Sequence, residues 1–238
     1  MARTPVIHSE WIKIRTLRST VGALCGILLL TTVFTALAAL DTGGTDSDRL
    51  YAAFFGVSFG QVAAIAFGTT AVSTEFHGGA LRVSLAAVPR RQRWFAAKAT
   101  AIGVPVLVVG LLTGPASLTV GKALMGEDGP GWTEGVRGVA GCGIYLALMA
   151  LFAVGLTVVF RSGVATLSVV VPFLLIVSFV IGDLSGGVAD LLPDRAGQIA
   201  LHHRRDGELG PWTGLAVTAL WTAAALLAGA WSLRRRDA

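Results

Sequence analysis

Six stretches without a charged residue punctuate this chain, at 19–40, 50–74, 99–121, 138–160, 162–182 and 209–233, each of 21 to 25 residues. A helix needs roughly 20 apolar residues to cross about 30 Å of hydrocarbon. In lipid every backbone polar group must be paired within its own segment, so the pattern predicts six membrane-spanning helices. A β-barrel would instead show segments of about 10 residues with alternating apolar and polar side chains. The expected fold is all-α and polytopic, one transmembrane domain over residues 1–238.

Composition agrees with the pattern. Hydrophobic residues make up 54% of the chain and charged residues only 14%, against roughly 25% charged in a soluble domain, and the mean hydropathy is +0.71. The net charge of +5 suggests nucleic acid until its distribution is read. With the N-terminus inside, the inner segments carry 13 Lys/Arg and three acids, and the outer ones six Lys/Arg and eleven acids. Lysine and arginine bias orients helices in the bilayer. Both termini are therefore expected in the cytoplasm of a multi-pass cell-membrane protein, in a prokaryotic-type plasma membrane, with lipid and not nucleic acid around it.

The connectors carry their own signals. Ile7, Trp11 and Ile14 recur at helical spacing among charges before the first span, which suits a helix lying in the interface with Trp11 at headgroup depth; a basic tail that only orients the first span is the plainer alternative. Gly126, Gly129, Pro130 and Gly131 interrupt the connector 122–137. Phe160-Arg-Ser-Gly163 must form a tight hairpin, in which Gly163 is free to take positive φ. Within the outer loop 183–208, residues 187–192 are apolar enough for a short helix or a re-entrant element.

Chemistry is sparse. No span contains Asp, Glu, Lys, Arg or His, the residues that ion-coupled carriers place inside the bundle. Gly121-Lys122-Ala123 lacks both the earlier glycine and the following Ser or Thr of a phosphate loop. Uphill transport would need energy from another polypeptide. Adjacent His202 and His203 seldom converge on a metal without further ligands, so neither a metal nor a catalytic site is expected; interfacial solvation or a hydrogen bond within the outer loop fits them better. Cys25 and Cys142 sit within separate spans as small packing residues, toward opposite faces and beyond disulfide reach. Gln61, inside the second span, reads as pathway lining or as interhelical glue, and Pro105, Pro115 and Pro172 as hinges or ordinary kinks.

The segment 75–98 is the exception. Glu75, Gly78, Gly79 and Arg82 lie at i, i+3, i+4 and i+7, so a continuous helix would present them on one face, with a glycine notch between two charges. As exposed charges, Glu75 and Arg82 would add only about 0 to 1 kcal/mol to stability. Pro89 stops the helix, and Arg90, Arg91, Arg93 and Trp94 suit an anionic inner interface. A polar membrane exit with no further role has the same composition.

Ser9-Glu-Trp-Ile-Lys-Ile-Arg-Thr-Leu-Arg-Ser-Thr20, Glu75-Phe-x-x-Gly-x-x-Arg82, Pro89-Arg-Arg and Ala96-Ala-Lys98 resemble the membrane permease subunit of a type-2 ATP-binding-cassette (ABC-2) transporter. The resemblance extends over the six-span layout and is specific only in these cytoplasmic stretches; Gly79-Ala80 stands where many relatives have Gly-Thr. It implies a coupling helix at 75–88, an interfacial connecting helix at 7–18 and a re-entrant element at 187–192. It also implies an ATP-binding cassette subunit as partner, a second permease copy as a homodimer, no cofactor in this chain, and no enzymatic activity of its own. Another class of function fits the same sequence: a membrane-embedded enzyme or immunity protein acting through the outer loop, with His202 and His203 at its centre.

Overall fold

A computed structural model describes residues 18–40, 48–77, 80–87, 90–126, 129–177, 180, 186–203 and 209–235. Helix is the only regular structure among them. In chain order they form α1 (Arg18–Leu40), α2 (Arg49–Phe54), α3 (Val57–Ser73) running into a 3₁₀ turn (Thr74–Phe76), α4 (Ala80–Ala87), α5 (Arg91–Met125), α6 (Trp132–Phe160) and α7 (Gly163–Pro172). A π-helical segment (Phe173–Val177), a 3₁₀ helix (Gly186–Leu191), α8 (Pro193–Gln198), a further 3₁₀ turn (Ile199–Leu201) and α9 (Pro211–Arg235) complete the chain.

Five helical runs are long and apolar enough to cross a membrane: Thr20–Leu40, Arg49–Phe76, Arg91–Met125, Trp132–Phe160 and Pro211–Arg235. The fifth predicted stretch gives a shorter apolar helix, Gly163–Ile176. Its irregularity has a cause in Pro172, which supplies no N–H and crowds the preceding turn; α7 passes into the π-helical segment immediately after it. Pro105 and Pro115, in contrast, are carried within the unbroken α5.

The α6 helix is the hub. It packs against α3, α5 and α9, and α1 lies across α3 and α5. Glycine permits these crossings. The Arg49–Phe76 run bends between α2 and α3, where a Cβ on Gly56 would fall 1.8 Å from the Thr31 carbonyl oxygen; Thr35 Oγ1 accepts from the Gly56 N–H at 3.3 Å. Helix backbones thus approach as small-residue interfaces in membranes allow.

The turns explain two expectations, one upheld and one corrected. Gly126 ends α5 at φ 64°, as the glycine-rich connector suggests. In the 160–163 hairpin, however, Arg161 and not Gly163 takes the left-handed conformation, at φ 53°. Ser162 Oγ caps α7 by accepting from the Ala165 N–H at 3.2 Å. Gly163 is small for a packing reason, because its Cβ would lie 2.7 Å from Ser73 Oγ.

Candidate functional site

The connectors gather into two groups at opposite ends of the bundle, separated by the length of α5, about 50 Å at 1.5 Å per residue. One group holds residues 73–77, 80–87, 90–98, 161–163 and the end of α9; the other holds the starts of α2 and α6 with His202 and His203.

In the first group the 75–82 face expected from a continuous helix is corrected. The chain is 3₁₀ at Thr74–Phe76, turns extended at His77 (φ −98°, ψ 142°) and resumes as α4 at Ala80. Glu75 and Arg82 therefore belong to separate elements; Gly78 and Gly79 lie outside the described residues. Glu75 is not an exposed charge either, being only 5% accessible. Lys98 Nζ on α5, itself 4% accessible, donates to Glu75 Oε1 at 2.8 Å, and Ser84 Oγ on α4 donates to Oε2 at 2.9 Å. Burial of a carboxylate requires such partners. The carboxylate thus joins the end of the second span, the short α4 and the third span in one charged node. Helix α4 ends at Ala87, where Pro89 predicts a stop.

Helix α5 turns a second set of residues inward. Arg91, Trp94, Phe95 and Lys98 occupy positions i, i+3, i+4 and i+7 and share one face. Arg91 Nη1 donates to the Leu233 carbonyl at 2.7 Å, joining the start of α5 to the end of α9. Trp94, expected at the membrane interface, is 2% accessible: its position on the inward face places the indole in the core. Arg90 and Arg93 are exposed. Trp11 lies outside the described residues.

Inside the bundle, Gln61 is buried in a chain of polar side chains. Ser58 Oγ donates to Gln198 Oε1 at 3.3 Å, Gln198 Nε2 donates to Tyr145 Oη at 3.2 Å, and Tyr145 Oη donates to Gln61 Oε1. The two glutamines and the tyrosine come from α3, α6 and α8. Asp194, also on α8, is buried, and Thr218 Oγ1 on α9 donates to the Pro193 carbonyl at 2.8 Å. Tyr145 lies 13 residues into α6, about 20 Å along the helix, so α8 enters well below the rim. A short helix stands where 187–192 predicts one, the 3₁₀ helix Gly186–Leu191 with Ala189 buried, and 193–201 carries the polar side chains into the core. Sequence reasoning passed over Tyr145, Gln198 and Asp194. The one signal available was an aromatic hydroxyl in an apolar run, which in a core finds a partner.

At the other end, Asp48 caps α2 by accepting from the Leu50 and Tyr51 N–H groups at 3.1 and 3.0 Å. His202 Nδ1 lies 3.2 Å from Asp48 Oδ2, the His203 N–H donates to the same carboxylate at 2.9 Å, and the His202 ring stacks on Tyr51 with centroids 4.1 Å apart. His203 Nδ1 sits 2.6 Å from Glu134 Oε1, and Arg137 Nη2 donates to the His202 carbonyl at 2.8 Å. The His202 N–H donates to the Ile199 carbonyl within its own loop at 3.2 Å, and the histidine pair also bonds to the first outer connector and to α6. Among the described residues no group of three His, Cys, Asp or Glu is placed to hold a metal ion. Cys25 and Cys142 are both free thiols, and Cys142 Sγ is 3.7 Å from the Gly110 carbonyl.

Burial alone would raise the Asp48 pKa, but hydrogen bonds from His202 and the Tyr51 and His203 N–H groups, with the charge of His202, bring it from 3.8 down to about 2. A carboxyl with a lowered folded pKa stabilises the fold above its unfolded value and loses that contribution as pH falls toward the folded one. Thermal stability in detergent is accordingly expected to fall between about pH 4 and pH 2, and Asp48→Asn to flatten that part of the profile. An unchanged slope in the variant would remove Asp48 from this role.

No family model matches the sequence, and no curated protein matches it.

Proposed function

We propose that this chain is the permease subunit of an ABC-type exporter, in which six spans with cytoplasmic termini form the pathway and a separate ATP-binding subunit docks on the 75–98 segment. The observation that favours this reading is the node at Glu75. A short helix, α4, stands between two long spans and is bonded to the ends of both through one buried carboxylate, so displacement of α4 acts on the bundle directly. The long charge-free stretches of the sequence, together with the lack of a phosphate loop, favour an energy source on another polypeptide. Two copies with two ATP-binding subunits would switch the bundle between inward- and outward-facing states through their differential affinity for those states. The alternative centred on His202 and His203 has less support, because both histidines are engaged by Asp48 and Glu134.

The test begins with whether an ATP-binding subunit is encoded beside this gene and continues with reconstitution of the two together. Arg82→Ala and Gly78→Leu are expected to insert normally yet to lower export and transport-stimulated ATPase together, the second by filling the approach to the partner. Unmodified rates in both variants, or transport by this chain alone on a proton gradient, would overturn the proposal.

A further inference from the structure

We infer that the seam between the first turn of α5 and the last turn of α9 binds the phosphate of an anionic phospholipid. This does not depend on the transport reading. The Arg91–Leu233 bond brings the two helix ends together, and the result is a crowd of like charge: Arg90 and Arg93 on one side and Arg234 and Arg235 on the other, all four exposed. Among the described residues none of these four forms an ion pair. Four exposed cations on two adjoining helix ends attract an anion.

The backbone adds to the attraction. Arg90 occupies the cap position of α5 without a side-chain cap; its carbonyl takes the Arg93 and Trp94 N–H groups, and the positive end of the helix dipole lies at the seam. Helix N-termini of this kind receive phosphate. Beside the residues of that bond, Trp94 Nε1, one turn on from Arg91, and Ser232 Oγ, next to Leu233, are buried with no hydrogen-bond partner among the described residues. Gly229 and Phe95 close the seam below, where a Cβ on the glycine would lie 3.4 Å from the ring.

The flank of α9 points to a lipid as the source of that phosphate. Leu227, Trp231 and Arg235 follow at i, i+4 and i+8 and are all exposed, and the Arg235 guanidinium lies 4.3 Å from the centre of the Trp231 ring. A cation, an indole and an aliphatic chain in that order match a headgroup, the interface and an acyl tail. Basic pockets between membrane helices take such headgroups.

The purified full chain in detergent would be melted with added phosphatidylglycerol, phosphatidylcholine or inorganic phosphate. Phosphatidylglycerol is expected to raise Tm on the order of 5 °C when well above its Kd, with little effect from the other two. A variant with Arg90, Arg93, Arg234 and Arg235 all changed to Gln should lose that rise, while the corresponding Lys variant keeps most of it; Arg91 is left intact for its structural bond. An equal rise with phosphatidylcholine, or a rise retained in the Gln variant, would overturn the inference, and an equal rise with inorganic phosphate would reduce the seam to a simple anion site. Should the Gln variant not fold, native mass spectrometry of the unmodified protein in mixed lipid decides, since equal retention of both lipids contradicts a headgroup preference.

Discussion

Lys98→Met is expected to destabilise the fold by about 3–5 kcal/mol, the usual effect of removing one partner from a buried ion pair. The methionine retains most of the aliphatic stem, so packing changes little, but the Glu75 carboxylate remains buried without its nearest cation. Ser84 keeps its hydrogen bond to the carboxylate, but a neutral donor does not replace the charge of Lys98. The double variant Glu75→Gln/Lys98→Met should recover most of the loss, because desolvating two charges costs about as much as their attraction returns. Chemical denaturation in detergent of the two single variants and the double variant forms a double-mutant cycle. A single Lys98→Met variant as stable as the unmodified protein would show that the pair contributes nothing.

The same residues show what the sequence could and could not disclose. Glu75 stands out in an apolar neighbourhood, so its importance was legible; its partner was not, since Lys98 is 23 positions away on another helix. The expectation of exposure came from drawing one helix through 75–82. His77 in an extended conformation breaks that helix, and nothing local in a Glu-Phe-His-Gly sequence dictates the break. Trp94 was misplaced for a related reason: an indole among arginines suits an interface by composition, and only the packing of α9 onto α5 turns it inward.

Long apolar runs were the most legible feature, because a requirement of length and hydropathy acts residue by residue. Five of the six give helical runs of spanning length among the described residues, and the fifth in order is described as helix over Gly163–Ile176, with a π-helical turn after Pro172. Tyr145 and Gln198 were hidden for the opposite reason. Each is unremarkable in its own segment, and the polar chain they form exists only because α8 folds into the bundle between α6 and α9.

Gly155→Leu is expected to have the second large effect, by separating α6 from α9. A Cβ at Gly155 would sit 2.4 Å from the Ala225 carbonyl carbon and 2.7 Å from the Leu226 nitrogen, backbone atoms that no rotamer change can move. The crossing is close from both sides, because a Cβ on Gly229 would lie 2.9 Å from the Gly155 carbonyl oxygen. Even Gly155→Ala should cost about 1–3 kcal/mol through overpacking, and leucine more. Moving α9 outward also strains the bond from Thr222 Oγ1 to the Leu148 carbonyl, 3.1 Å, and that from Thr218 to α8. The short helix carrying Gln198 would then loosen from Tyr145, so the polar chain inside the bundle opens with the crossing. Gly22→Ala provides the contrast, since its Cβ meets nothing within 4 Å, and alanine in an open helical position is favoured over glycine by roughly 0.5–1 kcal/mol. Thermal melting of both alanine variants in detergent should therefore show opposite shifts; if Gly155→Ala melts as high as Gly22→Ala, the backbone contact does not hold α9 in place.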